Sequence, residues 1–427
     1  MTENAQLDDF DFNGLRRFPD VEAPNLFASD ASDRLILATA AATLSALDDG
    51  RLAIMGDRYG ALTLAAAAVF GATGIRVHQD GRSSELALRN NAARLGGAGS
   101  FRQLPLGPEL FDGVSVVLWQ LPRGLHELSE VADLMARHAG DDVQVFAGGR
   151  VKHMTPAMKE LLRESFGTVT AGLARQKSRV LTAREPRRPA GPTRYPQREY
   201  NAELGLWICA HGATFAGTKL DIGSRYLLDF AAEMKPDAHR AIDLGCGSGV
   251  LAAALAARRP DLRVTATDQS AAAVASAKAT AATNSLTGRI DVVHDDAMAS
   301  FPDESAELII LNPPFHVGSS VHAGAALKLF DAAARVLSPG GELWTVFNNH
   351  LGYIGQLEQR VGRTEVRGRT AKFTVAVSTK SSGGGSRTIA DRNSQQHFGS
   401  GAENYASERT WAKVCSPKRL NGGLSSE

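Results

Sequence analysis

An internal duplication constrains the fold of this chain more than any other feature of its sequence. The stretch "RAIDLGCGSGVLAAALAARRPDLRVTATDQS" reads as a strand, a glycine-rich turn, an alanine-rich helix and a second strand, and "RLAIMGDRYGALTLAAAAVFGATGIRVHQDG" has the same plan. Further along, "AELIILNPPF" matches "GVSVVLWQLPR". Strands that alternate with helices form parallel sheets with helices on both faces. The sequence therefore predicts two tandem α/β units, each with a mostly parallel, doubly wound sheet.

The duplication divides the 427 residues into four segments. Residues 1–183 form the first unit and residues 201–380 form the second. The segment 184–200 is rich in Pro and Arg, which predicts an extended, exposed linker. Its cations are either solvated or form a strip that contacts phosphates. Residues 381–427 have few apolar side chains and no sustained periodicity, which predicts a disordered tail.

Bulk composition is that of a globular protein, with 43% apolar and 22% charged residues and a net charge of +1. That charge favours neither the presence nor the absence of a nucleic-acid partner. Cys209, Cys246 and Cys415 lie far apart, which fits a reducing cytoplasm and offers no metal-ligand spacing. The N-terminus lacks the apolar core of a signal peptide, and no apolar run is long enough for a membrane span. We expect a cytoplasmic monomer that uses no metal ion.

The turn "AIDLGCGSG" in the second unit combines glycines and acids in an informative order. Gly245 and Gly247 remove Cβ atoms, so the backbone can turn tightly and approach a ligand. Asp243 would repel a pyrophosphate but can accept hydrogen bonds from an ammonium group. Asp268, at the end of the next strand, can accept from both hydroxyls of a ribose. A ribose joined to a cationic amino-acid tail describes S-adenosylmethionine. In the first unit, Asp80 follows its turn at nearly the same distance and is the predicted counterpart of Asp268.

Two acids end the third strand of the second unit, in "VVHDDAM". Asp295 and Asp296 can reach the adenine amine, and we expect Ala297 and Met298 to pack on the adenine ring. The alternative is that both acids are solvated side chains at a strand end.

A stiff corner ends the next strand, in "IILNPPF". Pro313 and Pro314 have no N–H to donate and restrict the residue before them, so the chain turns after Asn312, at the strand edge where α/β sheets bind ligands. The Asn312 oxygen and a backbone carbonyl of the corner can accept from a planar exocyclic amine, and Phe315 can stack on its ring. This arrangement needs no strong general base. The alternative is a simple turn.

These motifs resemble class I methyltransferases with an [N/D]-P-P-[F/Y/W] motif, which methylate planar amino nitrogens. The segment "HGATFAGTKLDIGSRYLL" is similar to one in the ribosomal RNA guanine-N2 methyltransferases of the RsmC and RlmG type, which have two tandem Rossmann-like domains, the second catalytic. The resemblance implies S-adenosylmethionine bound by Phe215, Asp221, Gly223, Asp243, Gly245, Gly247, Asp268, Asp296 and Asn312. It also implies a target guanine held by Asn312, Pro313, Pro314 and Phe315.

The first unit departs from this pattern. Ile54 and Arg58 replace the acid and the middle glycine of the turn, and "WQLPR" replaces "LNPPF". We expect the Arg58 side chain to occupy the cofactor space, so this unit is predicted to be a degenerate copy that binds no cofactor. The resemblance implies that it helps to recognise RNA. The candidate phosphate contacts are Arg58, Arg123, Arg150, Lys152 and Arg175, and for each the alternative is a solvated surface side chain.

The sequence thus favours a methyltransferase that acts on guanine N2, with ribosomal RNA or a ribosomal subunit as its partner. One alternative is another N-P-P methyltransferase that acts on DNA adenine or on a protein glutamine. The other is a non-catalytic RNA-binding assembly factor, against which the intact Asn312 and Asp243 argue.

Overall fold

The computed structural model describes residues 7–314 and 320–381, all of which belong to one compact unit. Phe315 and the predicted tail after residue 381 lie outside the described residues. Within the described ranges, no helix has the length and apolar character that a membrane span requires. The same ranges contain no group of three or more His, Cys, Asp or Glu side chains that could hold a metal ion.

The first half consists of one sheet flanked by helices. The strands are β1 (Leu52–Met55), β2 (Ile75–His78), β3 (Phe101–Gln103), β4 (Val116–Gln120), β5 (Gln144–Arg150), β6 (Phe166–Ala171) and β7 (Ser178–Pro186). The helices are α1 (Ala31–Leu44), α2 (Ala61–Phe70), α3 (Arg82–Leu95), α4 (Pro108–Phe111), α5 (Leu125–His138) and α6 (Pro156–Ser165). The strand order is β3-β2-β1-β4-β5-β7-β6, and β7 is antiparallel to both of its neighbours.

The second half begins with a hairpin and continues as a second sheet. The hairpin strands are β8 (Gln197–Asn201) and β9 (Leu206–Ala210). The sheet strands are β10 (Arg240–Leu244), β11 (Arg263–Asp268), β12 (Ile290–His294), β13 (Ala306–Leu311), β14 (Leu337–Asn348), β15 (Gly362–Arg369) and β16 (Phe373–Lys380). The helices are α7 (Ile222–Leu228), α8 (Val250–Arg258), α9 (Ala271–Thr283), α10 (Ser320–Val336) and α11 (Ile354–Arg360). The strand order is β12-β11-β10-β13-β14-β16-β15.

The two sheets share one topology, because β10 to β16 repeat the arrangement of β1 to β7 strand for strand. In both sheets the central strands are parallel and the last two are antiparallel. This confirms the predicted fold class of two tandem, mostly parallel α/β units.

Each sheet has an apolar core on both faces. Along β1, Leu52 and Ile54 belong to one cluster and Ala53 and Met55 to another, because successive side chains of a strand point to opposite faces. From Leu308 to Leu311, the residues of β13 divide between two clusters in the same alternating way. Strands that are buried on both faces require continuous apolar runs, which explains the strand sequences "LAIM" and "LIIL".

The two halves meet through equivalent loops. The Arg82 N–H donates to the Gln269 carbonyl at 2.8 Å, and the Ala271 N–H donates to the Asp80 carbonyl at 2.7 Å. The Asp80 carboxylate also accepts from the Ala272 N–H at 2.9 Å, at the start of α9. The first half therefore holds the loop that follows Asp268.

Strand register corrects one predicted correspondence. Met55 pairs with His78 in the first sheet, and Leu244 pairs with Thr267 in the second. Because Met55 and Leu244 both precede the first turn glycine, the counterpart of Asp268 is the residue after His78, which is Gln79. Asp80 instead corresponds to Gln269, and its contacts are with the other half.

The segment 184–200, predicted as a linker, includes residues of two strands. Its first residues complete β7, and its last residues begin β8. The Arg188 guanidinium donates to the carbonyls of Ala136 and Ala139, both at 2.8 Å, and Arg137 of α5 donates to the Gly191 carbonyl at 2.7 Å. At least one cation of the predicted phosphate strip therefore holds the segment against the first half.

Candidate active site

The central strand β10 lies between β11 and β13, and all three run parallel. Leu244, the last residue of β10, pairs with Thr267 of β11 and with Leu311 of β13. The glycine-rich turn, Asp268 and the Asn312 corner therefore leave the sheet side by side at one carboxyl edge. Open α/β sheets bind their ligands at this edge.

An open cradle lies at the glycine-rich turn. Gly245 and Gly247 have φ values of +73° and +54°, and apart from chain neighbours no atom of the described residues lies within 4 Å of the position that a Cβ would take. These left-handed values favour glycine. Gly249 differs, because its Cβ would meet the Cβ of Ala277 in α9 at 2.8 Å. The first two glycines leave space for a ligand, whereas the third allows two helices to pack closely.

Asp243, near the end of β10, is 1% exposed. Its Oδ2 accepts from the Ala252 N–H at 2.9 Å, whereas its buried Oδ1 has no hydrogen-bond partner in the described part of the chain. Burial raises the pKa of Asp243 to about 7; the Ala252 N–H lowers this pKa and the nearby Asp268 charge raises it. An unpaired buried carboxylate oxygen is costly, and a cationic ligand group satisfies it. This residue therefore fits the amino-acid tail of S-adenosylmethionine.

Asp268 ends β11 and is fixed across the glycine-rich turn. Its Oδ2 accepts from the Gly247 N–H at 3.0 Å, and its Oδ1 accepts from the Ser270 N–H at 2.9 Å. Burial raises the pKa of Asp268, the two backbone N–H groups lower it, and the Asp80 charge raises it. Each carboxylate oxygen has a further lone pair, so the side chain fits the two hydroxyls of a ribose.

The acids that follow β12 have different contacts. Asp295 stabilises the loop that it belongs to, because it accepts hydrogen bonds from the Asp296 N–H at 2.8 Å and from the Ser300 hydroxyl at 2.7 Å. Asp296 accepts from Lys328 Nζ of α10 at 2.5 Å through its Oδ2. Met298 is fully buried in the apolar core. The expectation that it packs on the adenine ring is therefore wrong, because the side chain has no accessible surface for a ligand.

Asn312 leaves β13 with its side-chain amide held in one orientation. Its Nδ2 donates to Asp221 Oδ2 at 3.0 Å and to Ser224 Oγ at 2.9 Å. A carboxylate only accepts, so the NH₂ side of the amide faces Asp221. The Oδ1 atom on the opposite side is buried and has no hydrogen-bond partner among the residues that the structure describes. The corner thus contains an unused hydrogen-bond acceptor. Pro313 beside it is buried and Pro314 is exposed.

The segment before the second sheet contributes the other residues around this corner. Asp221 is the N-cap of α7 and accepts from the N–H groups of Gly223 and Ser224. A Cβ on Gly223 would lie 3.6 Å from Asn312 Nδ2, so this glycine is part of the same contact. Phe215, earlier in the segment, is 58% exposed. Ser224 was missed by the sequence analysis, because its contact with Asn312 joins residues that lie 88 positions apart in the chain.

The equivalent place in the first half is closed. A Cβ on Gly56 would meet the Gln120 carbonyl at 2.8 Å, and buried Asp57 accepts from the Gly60 N–H at 3.0 Å within the turn. Arg58 is exposed. Gln120 and Asp57 therefore contribute to the closure of this half, and the expected role of the Arg58 side chain in it stays a prediction.

Most of the candidate phosphate contacts gather at the carboxyl edge of the first sheet, around His153. Burial lowers the pKa of His153, and four nearby cations lower it further. Those four are Arg123, Lys152, Arg58 and Arg150. Arg175 is not among them; it is exposed, and its backbone bonds to Ser178 across a tight turn.

Comparison with known proteins identifies the fold. A model of the Methyltransferase small domain family matches residues 205–377, and a model of the RLMG N-terminal domain matches residues 4–187. A solved structure with a similar fold is that of the T. thermophilus 16S rRNA N2 methyltransferase RsmC, in complex with AdoMet and guanosine. Its superposition on this chain has a TM-score of 0.63 at 20% sequence identity. The match covers 84% of this chain and 97% of the RsmC chain. The fold and the site define a class I methyltransferase.

Relatives that match nearly their full length to this chain identify the family within this class. Proteins named Ribosomal RNA large subunit methyltransferase G are 33% identical in Shewanella amazonensis and 34% identical in Streptomyces coelicolor, over 86% of this chain and 96% and 97% of their own lengths. The protein of that name in Pseudomonas putida is 33% identical over 89% of this chain and 99% of its own. The chain belongs to the ribosomal RNA large subunit methyltransferase G family and is an S-adenosylmethionine-dependent methyltransferase.

Proposed function

We propose that the protein methylates the exocyclic N2 amine of a guanine in large-subunit ribosomal RNA. The observation that carries the proposal is the buried Oδ1 of Asn312, which no described residue pairs with, at the same sheet edge as the open glycine cradle. The names of the relatives support large-subunit ribosomal RNA as the substrate. The guanosine in the complex of RsmC supports guanine as the target base.

The corner suits an amine that is a poor nucleophile. The nitrogen lone pair of an exocyclic amine is delocalised into the ring, so the amine must be held and its nitrogen must pyramidalise. Asn312 Oδ1 accepts one N–H of the amine, and a backbone carbonyl of the corner accepts the other. Both bonds strengthen as positive charge builds on the nitrogen, which stabilises the transition state. The proton leaves after transfer, so a strong general base is not required.

The cofactor, when bound, supplies an electrophilic methyl group on a sulfonium. Asp243 would hold the ammonium group of its amino-acid tail, and Asp268 would hold the ribose hydroxyls. Gly245 and Gly247 would let the backbone approach the cofactor closely. Asp296, whose Oδ2 also accepts from Lys328 Nζ, would accept from the adenine amine.

The cations around His153 form the proposed RNA surface, together with Arg175. Clustered Arg and Lys side chains attract phosphates and release counterions, so they raise affinity without selecting a sequence. Arg58 and Arg123 follow strands of the first half at its own carboxyl edge, where the degenerate site leaves no competing cofactor. We propose that the protein works as a monomer in the cytoplasm, where ribosomal subunits are its partners.

The proposal is tested by methyl transfer in vitro. Purified protein is incubated with labelled S-adenosylmethionine and large-subunit RNA, free or in assembled subunits, with small-subunit RNA and DNA as comparison substrates. We expect label in N2-methylguanine of large-subunit RNA with wild-type protein and a loss of at least about 100-fold with Asn312→Ala. The matched control is Gln120→Ala, its counterpart in the first half, which should retain activity. Equal incorporation by wild type and Asn312→Ala would refute the proposal. Label in DNA adenine or in protein would favour the alternative substrates.

A further inference from the structure

We infer that Asp221, assisted by Ser224, is a positioning residue that fixes the Asn312 amide with its oxygen free for the target amine. This inference rests on the proposed function, since it concerns how the corner takes that amine. It gives Asp221 a role different from the cofactor contact that the family resemblance implies.

Three donors converge on a single oxygen of Asp221. Its Oδ2 accepts from Asn312 Nδ2 at 3.0 Å, from the Gly223 N–H at 2.9 Å and from the Ser224 N–H at 3.1 Å. The two N–H groups belong to the first turn of α7, so the capping bonds hold the carboxylate still. A carboxylate held in this way is a fixed anchor for the amide of Asn312.

The anchor selects one of the two amide orientations. If the Asn312 amide were rotated by half a turn, its oxygen would face the Asp221 carboxylate at about hydrogen-bond distance, and two acceptors would repel. In the observed orientation, the charged acceptor also polarises the amide and makes Oδ1 a stronger acceptor. A stronger acceptor is favourable where the target nitrogen gains positive charge.

The first half provides an internal comparison. Gln120, the counterpart of Asn312, donates from Nε2 to Asp33 at 2.5 Å and to Ser32 Oγ at 3.0 Å, both in the first turn of α1. The amide is therefore tethered to the upstream helix in both halves. The surroundings of the two amide oxygens differ, however. Gln120 Oε1 lies 3.2 Å from Ser32 Oγ, whose single hydrogen is shared with Asp30 Oδ1, whereas Asn312 Oδ1 has no hydrogen-bond partner among the described residues. Of these two oxygens, the one without a partner lies in the half with the open glycine cradle.

The test separates the tether from the helix cap. Asp221→Ser retains a good N-cap, but the short hydroxyl cannot reach Asn312. We expect the kcat of methyl transfer to fall by about 10- to 100-fold while the Kd for S-adenosylmethionine stays within about twofold. Asp221→Asn keeps an acceptor in place and should restore most of the lost rate. Asp30→Ser, the same substitution at the N-cap of α1, is the matched control and should have the wild-type rate.

A double-mutant cycle tests whether Asp221 acts through Asn312. In the Asn312→Ala background, Asp221→Ser should cause no further loss of rate, because the group that it positions is gone. Multiplicative losses in the double variant would overturn the inference. A tenfold rise in the Kd for S-adenosylmethionine at unchanged kcat would also overturn it and would make Asp221 a cofactor ligand.

A measurement without methyl transfer keeps the inference separate from the proposed function. In protein labelled with ¹⁵N-asparagine, the Asn312 side-chain NH₂ signal is identified by its absence in Asn312→Ala. Its hydrogens should exchange slowly with solvent in wild type and faster in Asp221→Ser. Unchanged exchange contradicts the inference, whatever the substrate is. If wild type fails to methylate guanine while the exchange behaves as expected, only the proposed function is wrong.

Discussion

Binding of S-adenosylmethionine should be coupled to a proton near neutral pH through Asp243. This carboxyl group is 1% exposed and accepts a hydrogen bond from the Ala252 N–H, and its pKa is raised from 3.8 to about 7. A difference of about 3 units corresponds to roughly 4 kcal/mol that disfavours the ionised form in the folded protein. The ammonium group of the cofactor pairs only with the ionised form, so binding lowers this pKa and releases a proton.

The affinity for S-adenosylmethionine should increase with pH. Below about pH 7, Asp243 is neutral before binding and must ionise, so the Kd should fall by up to about tenfold per unit as pH rises from about 5 to 7. Isothermal titration calorimetry in buffers of different ionisation enthalpy counts the released protons. Asp243→Asn keeps the shape of the side chain without the charge; it should bind the cofactor more weakly at pH 7 and release fewer protons.

Unfolding provides a second measurement of the same group. Because its pKa is raised by folding, Asp243 contributes stability below pH 3.8 that is lost as pH rises through about 7. Without cofactor, Asp243→Asn should therefore gain stability relative to wild type between about pH 5 and pH 8. Equal proton release by wild type and Asp243→Asn, or a flat Kd across this range in wild type, would refute the reasoning.

The remaining predictions concern the rest of the cofactor site. Asp268→Ala should weaken S-adenosylmethionine binding by about 2 kcal/mol, because two charged hydrogen bonds are lost. Arg58→Ala should leave the Kd for S-adenosylmethionine within about twofold. Equal effects of the two substitutions in calorimetry would overturn the assignment of a single cofactor site, in the second half. Gly247→Ala and Gly352→Ala each place a side chain at a left-handed φ, +54° and +60°, in otherwise open space. Each substitution should lower the free energy of unfolding by about 1 kcal/mol. Only Gly247→Ala should also reduce cofactor affinity. A similar loss of affinity in both variants would contradict the proposal that the cofactor approaches the backbone at Gly247.

Much of the fold could be predicted because the duplication repeats in local patterns. The strands "LAIM" and "LIIL" are buried on both faces, so their apolar runs are continuous, and the glycines at 245 and 247 mark a turn in any context. The stiff corner at Asn312 was predictable for the same reason, since two prolines fix the local backbone. These features depend on neighbours in sequence.

Features that depend on distant partners were harder to predict. Spacing from the turn pointed to Asp80 as the counterpart of Asp268, but strand register assigns that position to Gln79. Met298 lies in a polar-looking motif and yet is fully buried in the core.

The roles of Asp221 and Ser224 could not be found from the sequence either. The contact with Asn312 joins residues 91 and 88 positions apart. Only the folded chain shows that Asn312 Oδ1 has no hydrogen-bond partner among the described residues.

The most direct test of the central claim is mass spectrometry of ribosomal nucleosides. Large-subunit RNA is digested from a strain that lacks the gene and from the same strain complemented with wild type or Asn312→Ala. We predict that one N2-methylguanine is lost on deletion, is restored by wild type and is not restored by Asn312→Ala. The account is contradicted if deletion removes no N2-methylguanine, or if Asn312→Ala restores it fully.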